Sequence, residues 1–235
     1  MNPLSPELDA AREAIVGCTR CPRLRSYCER IAIEKRAAYR QDTYWARPVP
    51  GFGDPQARIV LVGLAPAAHG ANRTGRMFTG DGIGGSGDFL MAALHANGLA
   101  SHPTSRSQDD GLTLHDAWIV AAARCAPPDN RPTPAELANC LTHLRAEIAA
   151  LPRARVLVGL GRIAFDACWR VLADSGLRPA ARPIFAPGSV YPVDGRVTVV
   201  ASYHPSRQNT QTGRLTPAML RSVFRRALRI AGRPA

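Results

Sequence analysis

The chain has 235 residues, enough for one large domain or two small ones, and 46% of them are hydrophobic, enough for a substantial core. Its 30 basic residues outweigh 18 acidic ones for a formal net charge of +12, which points to a polyanionic partner, nucleic acid first. No apolar run approaches the roughly 20 residues that cross a bilayer, and the start, MNPLSPELDAAREAIVG, lacks the basic-then-apolar pattern of a secretory signal.

A soluble, cytoplasmic protein without a membrane association is therefore expected. Lys35 is the only lysine, so nearly all the positive charge is arginine. A GC-rich coding bias accounts for arginine in place of lysine, but not for the excess of base over acid. In a reducing compartment, six cysteines argue against a disulfide framework and for metal or redox chemistry.

In chain order, Cys18 and Cys21 come first, as a C-x2-C followed by Pro22. Residues 22–57 contain a basic, helix-like run and then the proline-rich WARPVPGFGDP. RIVLVG (58–63) reads as a buried strand, and a long loop follows it whose first turn, Leu64 to Ala67, is chemically bare. SGDFLMAALHANG predicts a helix capped at Ser86 and stopped at Gly98, and 101–112 reads as a surface loop. AWIVAA (117–122) is the second strand and leads into CAPPDNRPTPAE, which opens with Cys125.

A helix starting at the threonine cap Thr133, with proline in its first position, carries Cys140. RVLVGL (155–160) is the third strand, and the helix after it, GRIAFDACWRVLADSG, closes at Gly176. VTVVAS (197–202) is the fourth strand; a polar loop with His204 and a last helix, TPAMLRSVFRRALRIAG, complete the pattern.

Alternating strands and helices predict an α/β fold: one domain over 1–235, with a central parallel sheet, helices on both faces and an N-terminal segment of about 57 residues. Ligands of such sheets gather at the carboxyl ends of the strands, so the loops after residues 63, 122, 160 and 202 should share one edge.

Cys18, Cys21, Cys125 and Cys140 make a reasonable four-sulfur site, suited either to zinc or to an iron–sulfur cluster. Cys28 and Cys168 are left over, and Cys168 reads as a small core residue. His204, directly after a strand, heads a loop with Ser206, Arg207, Gln208 and Asn209 that is well furnished to meet phosphates. Arg73, Arg76 and Arg214 are further phosphate-contact candidates.

The combination of GLAPAAHG, FTGD, CAPPDN and HPSRQNTQTGRLT resembles the family 5, or type B, uracil-DNA glycosylases through nearly the whole chain. The resemblance implies an α/β uracil-DNA-glycosylase fold and one 4Fe–4S cluster on Cys18, Cys21, Cys125 and Cys140. It implies a monofunctional hydrolase that flips uracil out of DNA and cleaves its N-glycosidic bond, the first step of base excision repair, and a monomer is the expected state. Phe78 matches the aromatic that stacks on the base, and His204 the histidine whose donor faces the base O2. Asp81, the first acid after Gly63, matches the aspartate that stabilises the sugar cation or positions water.

Catalysis is thereby expected at Asp81, Asn130 and His204, and substrate binding at Gly63, Ala65, Ala68, Phe78, Asn130 and His204. The loop Ser206, Arg207, Gln208, Asn209 should press into the duplex. The related type A branch has an asparagine four residues before the cluster cysteine, where it reads uracil; here that position is Ala121, and Asn130 matches a family 5 asparagine thought to contribute instead. Losing that amide predicts a relaxed base range that includes hypoxanthine. The rival reading is a zinc-containing nucleic-acid-binding module without catalytic activity. A hydrolase built on a nucleophile fits poorly, since there is no G-x-S-x-G elbow.

Overall fold

The computed structural model describes residues 3–177 and 183–232. Four strands stand where the apolar runs predict them: β2 (Ile59–Gly63), β3 (Ala117–Ala121), β4 (Val156–Leu160) and β6 (Val197–Ser202). All pair in parallel, in the order β3-β2-β4-β6. Each of β2, β3 and β4 is buried along its full length, as a strand covered on both faces must be. Ile59 and Leu61 point into one apolar layer, Val60 and Val62 into the other.

The two edges differ from a purely parallel sheet. β1 (Phe52–Gly53) adds antiparallel to β3, and β5 (Val190–Val193) antiparallel to β6. Pro192 cannot donate to a ladder, and it sits on the outermost strand, where prolines in sheets belong.

Helices cover both faces. On one side lie α3 (Ala71–Thr74), α4 (Ser86–His95) and α8 (Pro217–Ile230), whose Leu90, Leu94, Leu220 and Phe224 meet Leu61, Ile119 and Val158. On the other lie α1 (Pro6–Val16), α5 (Pro134–Ala149) and α6 (Arg162–Asp174), with Leu8, Leu144 and Phe165 against Val60, Val120 and Leu157. α2 (Pro22–Glu34) builds a separate small core in which Leu24 and Cys28 pack with Cys21, Cys125 and Ala126.

The expected start of α5 is present in full. Thr133 caps Glu136 N, Glu136 returns to Thr133 N, and Pro134 occupies the first turn. α4 starts differently, with Gly85 as its cap and Ser86 already inside the helix. The basic stretch after Cys21 is helical as α2, and the acid-bearing segment before Cys18 is helical as α1, capped by Ser5.

Winding reverses at β2. The chain crosses from β2 to β3 on one side, then returns past β2 to place β4 on the other. Such a switch point parts the loops on either side and opens a crevice beyond the carboxyl end of the strand. Among the described residues no helix is long and apolar enough to cross a membrane.

Candidate active site

A cavity of about 540 Å³ opens beyond β2, β3 and β6. Phe78, Asp81, Asn130 and His204 all line it, together with Leu64, Ala65 and Ala67 of the bare first turn. Three separate strand-end loops therefore meet in one chamber.

Phe78 lies across the end of β2 because Gly63 has no side chain. A Cβ there would come within 2.9 Å of the Phe78 ring. Phe78 also holds a left-handed backbone, φ 52°, a conformation that bulky residues rarely adopt. Its ring stacks with that of His204, centroids 5.7 Å apart and planes at 28°.

His204 carries no charge at neutral pH. Burial lowers its pKa to about 4, because nothing beside it compensates an imidazolium. Its backbone carbonyl accepts a hydrogen bond from Asn209 Nδ2 at 2.9 Å, which fixes the loop around it. Asn209 thus turns its amide inward, whereas Arg207 and Gln208 are exposed. Ser206 caps the short helix α7 (Arg207–Gln211) and lines the cavity with Gln208.

Asp81 sits before the first turn of α4. Both of its carboxylate oxygens accept the amide of Gly87, at 3.2 and 3.1 Å. Gly85 and Gly87 leave the room for this, since a Cβ on either would fall within 3 Å of the carboxylate. Burial raises its pKa, and the backbone amides of Gly87 and Ser86 pull it back. The result is a carboxylate oriented by fixed donors and held somewhat above the ordinary range.

Asn130 follows Asp129 in a pair of left-handed residues, φ 56° and 54°. That tight turn after CAPP brings Asn130 to the exposed rim of the cavity, next to Arg131. Ala121, at the end of β3, is buried and carries no amide into the chamber.

Three expectations need correction. Ala68 does not face the cavity; its side chain packs against the cysteine-bearing core around α2. Arg73 is turned inward: it pairs with Asp42 at 2.6 Å, donates to the carbonyls of His69 and Gly80, and stacks on Tyr39. Arg76 is buried against Asp110, Ser105 and Thr79. Both arginines lock the long loop after β2 and cannot meet phosphate. Arg214 is exposed. Sequence reading missed Arg131, Thr79 and Asp129 as lining residues. No local pattern marks them, since only the meeting of loops puts them at the wall.

The cysteines form a second centre on the β3 side. Cys21, Cys125 and Cys140 are buried, and Cys18 is half-buried, on the turn between α1 and α2. Cys21 and Cys125 each act electrostatically on Cys140, and Asn139 Nδ2 reaches Cys21 Sγ at 3.5 Å. The arms are pinned to each other by Arg23 of α2, whose two donors engage both oxygens of Glu136 of α5 at 2.8 Å. Cys168 lies apart in the helix core, where burial pushes its thiol to about 12. Cys28, in contrast, stands inside the cysteine lobe, packed with Cys125, and its thiol donates to Ala126 O at 3.6 Å. Among the described residues no three His, Cys, Asp or Glu side chains converge to hold a single metal ion.

The Uracil DNA glycosylase superfamily model matches residues 50–228, about three quarters of the chain. The chain belongs to the uracil-DNA glycosylase superfamily.

Its relatives within the superfamily sharpen the placement. The chain is 52% identical to the type-5 uracil-DNA glycosylase of Thermus thermophilus, over 95% of this chain and 98% of that one. It is 48% identical to the type-5 enzyme of Mycobacterium leprae, over 97% and 96%. To the type-4 uracil-DNA glycosylase of Archaeoglobus fulgidus it is 33% identical, over 67% and 70%. The motif resemblance to family 5 and the whole-chain similarity thus agree.

Membership in this superfamily gives the cysteine lobe a test. Arg124, directly before Cys125, is 1% exposed. Its Nη1 stands 2.6 Å from Glu147 Oε2, yet none of its three side-chain nitrogens has an aligned hydrogen-bond acceptor. Its backbone amide already donates to Cys140. The guanidinium charge is thus met by Glu147 within the protein, and what fits a thiolate-ligated group is the donor set itself: four cysteines from the α1–α2 turn, the loop after β3 and α5. Burial pushes the free Cys140 thiol up to about 11, so ligation there must displace a proton.

Proposed function

We propose that this protein is a monofunctional uracil-DNA glycosylase, hydrolysing the bond between uracil and deoxyribose to initiate base excision repair. The observation that carries the reading is the single cavity lined by Phe78, Asp81, Asn130 and His204, in a chain alike over its length to type-5 enzymes.

The chemistry follows from where charge develops. As the C1′–N1 bond breaks, the electron pair goes to uracil and the sugar becomes cationic. Phe78 supplies a face for the extruded base. Neutral His204 donates a hydrogen bond to the base O2, where negative charge accumulates, without placing a full charge in the pocket. Asp81, aimed by Gly87, stabilises the sugar cation and orients the water whose oxygen bonds to C1′. The attacking water gives up one proton to solvent as its oxygen bonds to C1′, and the departing anion takes one from solvent. Asn130, at the rim, contacts the base edge.

Ser206, Arg207 and Gln208 face duplex DNA; Asn209 holds His204 in place and contributes indirectly. The four cysteines Cys18, Cys21, Cys125 and Cys140 would hold one 4Fe–4S cluster. When bound, that cluster supplies structural cross-linking of α1, α2 and α5, since hydrolysis moves no net electrons. Because Ala121 carries no amide at the end of β3 and Asn130 reaches the base edge only from the exposed rim, hypoxanthine and other deaminated bases are admitted beside uracil.

Release of free base from uracil- and hypoxanthine-containing duplexes, measured in single turnover, tests both levels. Uracil release alone keeps the enzyme and removes the relaxed pocket. No release from either leaves a nucleic-acid-binding module.

A further inference from the structure

Ile83 is 87% exposed, the most exposed large apolar side chain among the described residues. One exposed isoleucine is common on a protein surface, and Ile33 on α2 is 82% exposed. What distinguishes Ile83 is its support. It occupies a corner of the turn Gly82–Gly85, closed by Gly85 N to Gly82 O at 3.1 Å. The next corner is Gly84, whose φ of 68° suits the position where such turns require a left-handed residue. Gly84 N is tied in turn to Asp88 Oδ2 at 2.9 Å, anchoring the turn to α4.

The turn is framed by Asp81 and Ser86, which both line the cavity. From the opposite rim, Arg207 Nη2 donates to the Ile83 carbonyl at 3.4 Å. That bond joins the two loops that flank the entrance. It also draws the Arg207 guanidinium toward the protein, leaving Ile83 as the projecting side chain. An apolar residue held upright between glycines, next to a cation, has the form of a wedge that separates stacked bases while the cation attracts the backbone.

We propose that Ile83 enters the base stack of duplex DNA beside the nucleotide drawn into the cavity, with Arg207 bracing its turn. This rests on the glycosylase reading. The wedge fills space that the flipped nucleotide vacates and slows its return. It has work to do only where a stack exists, so its effect belongs to duplex substrate.

The test compares wild type and Ile83→Ala on one uracil-containing oligonucleotide, as a U·A duplex and as a single strand, in single turnover. The duplex-to-single-strand rate ratio should fall about tenfold in the variant, the size expected for truncating one isoleucine from an apolar contact. Ile83→Leu should restore the ratio to within about twofold. An unchanged ratio, through equal losses or none, overturns the proposal. Wild type releasing uracil from neither form would instead defeat the glycosylase reading itself.

Discussion

Phe78 and His204 stack face to face at 5.7 Å between centroids, the first on the loop after β2 and the second directly after β6. A base sandwiched between them would need about 7 Å, two van der Waals thicknesses. In the proposed complex the base therefore lies against one ring only, with Phe78 offering its face and His204 an edge donor. Gly63 makes the arrangement possible by leaving the end of β2 bare under the Phe78 ring.

Replacing Phe78 by alanine removes that platform. Base–aromatic stacking contributes about 1–3 kcal/mol, so uracil-DNA affinity should weaken by roughly one to two orders of magnitude, while Phe78→Tyr keeps most of it. Equilibrium binding to a non-cleavable uracil analogue in duplex DNA measures this. Equal affinity for the alanine variant would separate Phe78 from base recognition.

The imidazole of His204 should titrate near pH 4 and not near 6.5. Since its folded pKa is depressed, the unfolded chain binds the extra proton between those values. The group's stability contribution is complete above about pH 6.5 and is lost as pH falls toward 4. Excision should accordingly show no loss from His204 protonation between pH 5 and 8. Imidazole NMR shifts followed across pH, with His204→Ala for assignment, report it directly.

Asp81 illustrates the opposite sign. Its folded pKa is raised by burial, so the ionised form costs stability once pH rises past the folded value. Asp81→Asn should leave the melting temperature equal or higher while excision falls by about two to four orders of magnitude. A fully active Asp81→Asn enzyme would remove this carboxylate from the chemistry.

Two kinds of arginine should separate in salt titrations. Arg207→Ala should weaken DNA binding and flatten its dependence on salt concentration, because a released counterion is lost with each phosphate contact. Arg76→Met should leave that slope unchanged and cost about 1–3 kcal/mol of stability, since half-buried Asp110 loses its ion-pair partner and keeps only the amides of Arg106, Ser107 and Leu112. Denaturant unfolding and binding isotherms at several salt concentrations distinguish them.

Chemical analysis of the purified protein should give about four iron and four sulfide per chain, the stoichiometry of a 4Fe–4S cluster. Cys125→Ser should lose both. Cys168→Ala should keep them, and Cys28→Ser should too, although Cys28 touches Cys125. One zinc per chain in place of iron would overturn the assignment.

Much of this molecule was legible in the order of its residues. IVLVG, AWIVA and VLVGL announce buried strands because a strand covered on both faces needs an unbroken apolar run, and VTVVAS, buried over its last four residues, is marked by its valines. Thr133, Pro134 and Glu136 announce a helix start because capping is settled within one turn. The edge strands were not legible. Phe52–Gly53 has two residues, and Val190–Val193 contains a proline, so neither carries a periodicity of its own.

Among the site residues, Phe78, Asp81, Asn130 and His204 could be assembled on paper, because parallel strands with their crossover helices send every such loop to the same edge. Which side chains turn toward the cavity was decided only by packing. Arg73 and Arg76 read as free cations, until Asp42 and Asp110, remote in the chain, take them inward. Ala68 leaves the pocket for the cysteine core, Asn209 spends its amide on His204, and Cys28 joins the lobe of Cys125. Sequence determined the elements and the edge where they meet, since those follow from local pattern and handedness. Tertiary structure alone decided the partner of each polar group, since desolvation is set by neighbours from distant parts of the chain.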